Sequence, residues 1–167
     1  MNIKLRNLKP EDADKMLEWM HDPYVVDKLR TDFSVKTRED CIEFIENCID
    51  KENINLAISD EEGVYLGTIS LRHITGDSAE FAITIGRKAM GKGIAIEAMR
   101  MILKKGFEEM GLEFIYWCVA GDNLRALKFY DKNGFERISP ELIGNIKGYS
   151  EEQIKAYIWF GVFGSCI

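Results

Sequence analysis

The run Ile83-Thr84-Ile85-Gly86-Arg87-Lys88-Ala89-Met90-Gly91-Lys92-Gly93-Ile94-Ala95 decides how this chain folds. Glu80 to Ile85 is apolar and β-branched enough for a strand covered on both faces. Gly91 and Gly93 then permit backbone geometry that a side chain would block. From Ile94 a helical stripe runs through Ala95, Ala98, Met99, Ile102, Leu103, Phe107 and Met110. A strand that feeds a glycine loop at a helix N-terminus builds an anion site, because free N–H groups converge there and the helix dipole favours negative charge. The phosphate loop of nucleotide hydrolases needs Ser or Thr after its Lys to hold magnesium. Gly86 and Lys92 have that spacing, but Gly93 follows. The dinucleotide fingerprint fits Gly91 and Gly93, but Ile96 stands where its third small residue belongs. A plain strand-to-helix turn without a ligand is the remaining alternative.

Composition narrows the function classes. With 167 residues the chain is long enough for one domain, residues 1–167, with a sizeable core. Hydrophobic residues make up 46% and charged residues 30%, as in an ordinary soluble globular protein. A formal charge of −6 argues against general nucleic-acid binding, which calls for a basic surface. No run of eighteen apolar residues and no signal-peptide pattern occurs, so the expectation is a cytoplasmic protein with no membrane segment. Cys41, Cys48, Cys118 and Cys166 lack C-x-x-C spacing and read as reduced thiols, with Cys118 a buried structural one. His21 and His73 read as surface residues, and no metal-ligand or Ser-His-Asp cluster can be assembled.

Taken in order, Ile3 to Leu8 alternates as a half-buried strand does. Pro10-Glu11-Asp12 starts a helix through Met20, Tyr24 to Leu29 makes a second, and Thr37 caps a third from Arg38 to Ile49, with Ile42, Phe44, Ile45 and Ile49 inward. Strands follow at Ile54–Ser59 and Val64–Arg72 around the Asp60-Glu61-Glu62-Gly63 turn. After the central strand, the long helix runs to Met110, with Gly111 as its stop. Glu113–Ala120 is a buried strand, Leu124–Asn133 a helix, Phe135–Ile138 a strand, 139–153 a polar loop and Lys155–Phe163 a last strand. The order β-α-α-α-β-β-β-α-β-α-β-β predicts an α/β fold: a mixed, mostly antiparallel sheet with helices on its faces.

Two stretches in register resemble the GCN5-related N-acetyltransferases (GNAT). Met90 to Ala95 is similar to the family's Q/R-x-x-G-x-G/A loop, with Gly93 and Ala95 at the small positions and Met90 in place of Gln or Arg. Asn123 to Phe135 is similar to its second signature, N-x-x-[SA]-x-x-[LF]-Y-x-K-x-G-F. Leu5 to Pro23 looks like the branch of ribosomal-protein N-terminal acetyltransferases. The resemblance implies a GNAT fold and acetyl transfer from acetyl-CoA to a primary amine by direct attack in a ternary complex, with no other cofactor. The acceptor would be a protein N-terminus or a small amine such as a polyamine, aminosugar or aminoglycoside, and the protein a monomer or homodimer. A non-catalytic acyl-CoA sensor on the same fold is the rival from another class.

The same resemblance assigns residues. Backbone amides of Gly91, Lys92, Gly93, Ile94 and Ala95 would hold the pyrophosphate. An amide at Ile83 or Ile85 would polarise the thioester carbonyl, and Asn123 would bond the pantetheine arm. Tyr130 lies seven residues past Asn123, on the same helix face, and would protonate the departing thiolate. Tyr130 could equally be a core aromatic and Asn123 a helix cap. Glu80 would be the base that frees the acceptor amine, or a strand-end carboxylate that orients it. The acceptor would lie between the Asp22–Phe33 segment and the loop 139–153.

Overall fold

The computed structural model describes residues 2–166. β1 (Lys4–Asn7) leads through a 3-10 turn at Pro10–Asp12 into α1 (Ala13–Met20). Pro23, at the first helical position, and the Asp22 cap start α2 (Pro23–Val26). Thr37 and Asp40 cap each other at the head of α3 (Arg38–Glu46). The chain continues through β2 (Ile54–Ser59), β3 (Tyr65–Thr75), β4 (Ser78–Ile85), α4 (Ile94–Lys104), β5 (Phe114–Ala120), α5 (Leu124–Lys132) and β6 (Glu136–Ile138). It closes with α6 (Glu151–Ala156) and β7 (Tyr157–Phe163). The seven strands form one sheet in the order β1-β2-β3-β4-β5-β7-β6. Every neighbouring pair is antiparallel except β4 and β5, which α4 joins as a crossover.

Strand alternation sorts the side chains onto two faces. Ile58 of β2, Phe81 of β4 and Ile115, Trp117 and Val119 of β5 pack with Ile94, Ala98, Met99 and Ile102 of α4. Ala57 instead packs with Met16, Trp19, Cys41 and Ile45 beneath α1 and α3. Tyr116 and Cys118 point to that second face, with Trp159 and Tyr149. Two strands meet very closely at Gly67, where a Cβ would lie 2.5 Å from the Thr84 carbonyl oxygen.

Several expectations need correction. α3 stops at Glu46, and Phe44 and Ile49 are exposed; Ile45 faces inward as expected, with Cys41 one turn before it. The second helix ends at Val26, not Leu29. The long helix leaves α geometry after Lys104 and makes a π turn, Lys105–Glu109. There Gly106 crosses Ile115 so closely that a Cβ would be 2.9 Å from its Cδ1. The region 139–153 contains a 3-10 turn at Pro140–Leu142 and the start of α6, so Lys155 is helical and the last strand begins at Tyr157. Ser150 and Gln153 form a reciprocal cap that starts α6.

Candidate active site

The site is a gap in the sheet. β4 and β5 pair only at Ser78–Phe114, Ala79–Ile115 and Glu80–Tyr116. Beyond Glu80, β4 stays on β3 as far as Ile85 and β5 stays on β7 as far as Ala120, so the two strands part. The Gly86 N–H donates to the Leu66 carbonyl at 3.0 Å. Alternation then turns the amides of Ile85 and Ile83 away from β3 and into the gap, where no strand meets them. Both residues line a cavity of about 900 Å³ that occupies the gap.

One end of the cavity is the head of α4. Gly91 and Gly93 have φ of +74° and +75°, a left-handed conformation costly for other residues, so the turn requires glycine. Gly93 is the N-cap, and no side chain caps the helix. The first-turn amides are therefore left without partners. Gly91, Gly93, Ile94 and Ala95 line the cavity together with Met90; Lys92 does not, and its side chain is exposed.

On the α4 face of the sheet, Asn123 and Tyr130 line the cavity from α5. Asn123 Oδ1 accepts from the Ala126 amide at 3.3 Å and so does cap α5. Tyr130 is 6% exposed, its ring 5.2 Å from both Trp117 and Phe160, so the core role is real. Its hydroxyl has no hydrogen-bond partner among the described residues, and burial pushes the phenol well above its ordinary pKa. It is a protonated donor at neutral pH.

On the opposite face sits Glu80, 1% exposed and therefore no surface carboxylate. The Arg72 guanidinium donates to Oε1 at 3.1 Å, and the Tyr149 hydroxyl donates to Oε2 at 2.6 Å. A bulge in β3 gives His73 a φ of +51° and brings its Nδ1 to 3.3 Å from Glu80 Oε1, so His73 lies near the strand end, as expected, but half-buried against Glu80. Cys118 is a half-buried lining residue, not a sealed core thiol; its Sγ donates to the Tyr149 oxygen at 3.5 Å. Burial pushes that thiol up to about 11, so it stays protonated. Over the Tyr149 ring, 4.2 Å from its centre, lies the Arg30 guanidinium. Sequence reasoning missed Arg30, Arg72, His73 and Tyr149. Two signals pointed their way. The Ser150–Gln153 capping pattern marks a helix start in the supposed loop, and strand parity puts Glu80 and Cys118 on one face.

Tyr130 and Glu80 thus lie on opposite faces of the sheet and share a cavity only because β4 and β5 part. A family model described as an acetyltransferase (GNAT) domain matches residues 2–136. The chain belongs to the GNAT acetyltransferase family. An uncharacterized N-acetyltransferase of Bacillus licheniformis is 28% identical over 141 residues, 81% of this chain and 79% of that one. The spermidine N(1)-acetyltransferase of Escherichia coli K12 is 29% identical over 146 residues, 80% of this chain and 73% of that one. A spermidine N-acetyltransferase from Vibrio cholerae, solved with CoA and spermine, superposes with a TM-score of 0.78 at 20% identity, covering 98% of this chain and 96% of that one.

A GNAT acetyltransferase takes its acetyl group from acetyl-CoA, and the residues present fit that donor. Unpartnered amides at the head of α4 suit a pyrophosphate. The Trp117 indole N–H is buried without an acceptor among the described residues, beside the same gap. Among the described residues no cluster of His, Cys, Asp and Glu could hold a metal ion, and no helix is long and apolar enough to cross a membrane.

Proposed function

We propose that this acetyltransferase acetylates the primary amine of a small molecule, with donor and acceptor entering the gap from opposite faces of the sheet. The observation that carries the proposal is the parting of β4 and β5 beyond Glu80, which joins the two faces in one cavity. When bound, acetyl-CoA supplies an activated thioester carbonyl. The amides of Gly91, Gly93, Ile94 and Ala95 hold its phosphates. The Ile83 or Ile85 amide, aimed into the gap, donates to the carbonyl oxygen as negative charge develops there. Asn123 borders the pantetheine path at the head of α5, and Tyr130 gives a proton to the sulfur as it leaves.

Glu80 has both oxygens engaged, so its route to the amine runs through Tyr149. The Tyr149 hydroxyl gives its hydrogen to Glu80 and accepts from Cys118 Sγ, which leaves one oxygen lone pair for an incoming ammonium. Burial beside Glu80 holds that phenol far above its ordinary pKa, so it acts as a relay and not as a free phenolate. Arg72 holds the Glu80 carboxylate in place.

The relatives named as spermidine acetyltransferases support a small amine in preference to a ribosomal-protein N-terminus. The experiment is a thiol-release assay with acetyl-CoA and a panel of small amines and peptides, run on the native protein and on Tyr149→Phe and Glu80→Gln. Both variants should lose turnover by about 10²-fold with little change in acetyl-CoA affinity. Full rates in both would remove Glu80 and Tyr149 from proton transfer.

A further inference from the structure

We propose that the acceptor amine carries an anionic group, a carboxylate or a phosphate, which Arg30 binds while the amine sits at Tyr149. The inference rests on the reading that acetyl transfer takes place at the Glu80–Tyr149 end of the cavity. It starts from charge. The cavity is lined by the cations Lys28, Arg30, Arg72, Arg125 and Lys132, and by a single acid, Glu80. The protein as a whole carries a formal −6, so this lining runs against its bulk charge.

Most of these cations are accounted for. Arg72 is paired with Glu80, and Lys28 lies 3.2 Å from Asp122. Arg125 stacks on the Tyr24 ring and donates to the Tyr24 carbonyl, and Lys132, which makes no ion pair among the described residues, lies at the C-terminal end of α5. Arg30 differs. One of its nitrogens, Nη1, donates to the Gly148 carbonyl at 2.7 Å, and the guanidinium plane rests on Tyr149. No carboxylate pairs with it among the described residues. Its remaining N–H groups form a fork held in one orientation, the geometry that takes a carboxylate or phosphate through two hydrogen bonds.

Arg30 is also badly placed to serve the donor's phosphates. β4 rises about 3.3 Å per residue, so Glu80 lies about 20 Å from Gly86, and the α4 loop lies beyond that. Arg30 is tied to Tyr149, whose hydroxyl touches Glu80. Its charge therefore acts beside the acceptor. A polyamine would bring further ammonium groups to that place. They would need carboxylates, and the one acid lining the cavity is already matched by Arg72. An amine with an anion a few bonds away meets both needs. In the transfer its nitrogen forms the new bond to the acetyl carbon, the carbon–sulfur bond breaks, and the amine's proton leaves through Tyr149 and Glu80.

The test is steady-state kinetics at saturating acetyl-CoA, with thiol release as the readout. The acceptors are dipeptides against their C-terminal amides, glucosamine 6-phosphate against glucosamine, and spermidine and spermine. The carboxylate and phosphate arms separate the two sources of anion. At least one anionic acceptor should exceed its neutral counterpart by 10-fold or more in kcat/KM and should exceed spermidine. Arg30→Gln should raise KM for that acceptor by about 10–100-fold. Arg30→Lys should recover part of the loss, and Arg30→Glu should move the preference toward spermidine; melting curves establish that all three variants are folded. Preference for spermidine over every anionic acceptor overturns the proposal and leaves the transfer site standing. So does an Arg30→Gln variant, folded, with unchanged KM. Absence of turnover with all three classes overturns both.

Discussion

Replacing Tyr130 with Phe takes one oxygen out of the cavity wall and leaves the packing as it is. The ring keeps its neighbours Trp117, Phe160 and Phe129, whose centres lie 5.1–5.2 Å away. The hydroxyl makes no hydrogen bond within the described residues, so its loss orphans no partner. The stability change should therefore stay within about 0.5 kcal/mol. Rate is another matter. A positioned general acid is worth roughly 10²–10⁴-fold, and a coenzyme A thiolate already leaves fairly well, which puts the effect at the low end. The expectation is a fall in kcat of about 10²-fold, equivalent to about 2.7 kcal/mol. Because burial raises the Tyr130 pKa, the native enzyme should show no loss of this acid below the ordinary tyrosine value near about 10. Thiol release, a melting curve and calorimetric titration with CoA on one preparation provide the measurements. A variant with kcat within about 3-fold of native refutes the acid role. A variant that melts early and no longer binds CoA shows instead that the oxygen was structural.

Gly93→Val imposes a φ near +75° on a β-branched residue and should weaken CoA binding at least about 10-fold by calorimetry, whereas Lys92→Ala, outside the cavity wall, should bind nearly as the native protein does. Gly67→Ala drives a Cβ against the Thr84 carbonyl and the Ile85 Cα, separating β3 from β4. It should cost about 2–3 kcal/mol, a drop of about 4–12 °C in Tm, and an unchanged melt would contradict the close approach. Burial pushes the Asp12 carboxyl up, but the two Arg6 hydrogen bonds at 2.8 Å and the Lys9 amide outweigh it and hold Asp12 below its ordinary value. Its contribution is therefore present above the ordinary carboxylate range and lost as pH falls through the depressed value. Asp12→Asn should lower stability by about 1.5–3 kcal/mol at pH 7, and the gap in chemical denaturation should close as pH falls below the ordinary carboxylate range.

The fold was legible because its signals are local. The strand, the two glycines and the stripe from Ile94 to Leu103 gave the β4-α4 unit, and Ile94, Ala98, Met99, Ile102 and Leu103 are buried as their spacing requires. One wall of the cavity followed from the same signals, since it is built by the head of α4 and one face of α5. On the Glu80 face the sequence named the bordering segments, Asp22–Phe33 and 139–153, but not the side chains they contribute. That face is assembled from Arg30, Arg72 and Tyr149, which lie far apart in sequence and show no periodicity. A bulge also turns His73 out of strand register, and alternation cannot foretell a bulge. Phe44 shows the complementary limit: hydrophobicity suggested burial, but helix phase places it outside.

Because β4 and β5 share only three residue pairs, the sheet is in effect two lobes: β1 to β4 on one side, and β5, β7 and β6 on the other. Those three pairs are the whole of the backbone pairing between them. Past them each lobe ends in an edge whose backbone groups are satisfied by solvent or by whatever lies in between. A cosubstrate that bonds both edges acts as a strut, and its binding energy is then spent partly on holding the lobes at a fixed angle. Amide hydrogen exchange would register this directly. Ile83 and Ile85 should exchange fast in the free protein and slow when CoA is bound. Ile69, on β3 opposite Ile83, should be slow in both states.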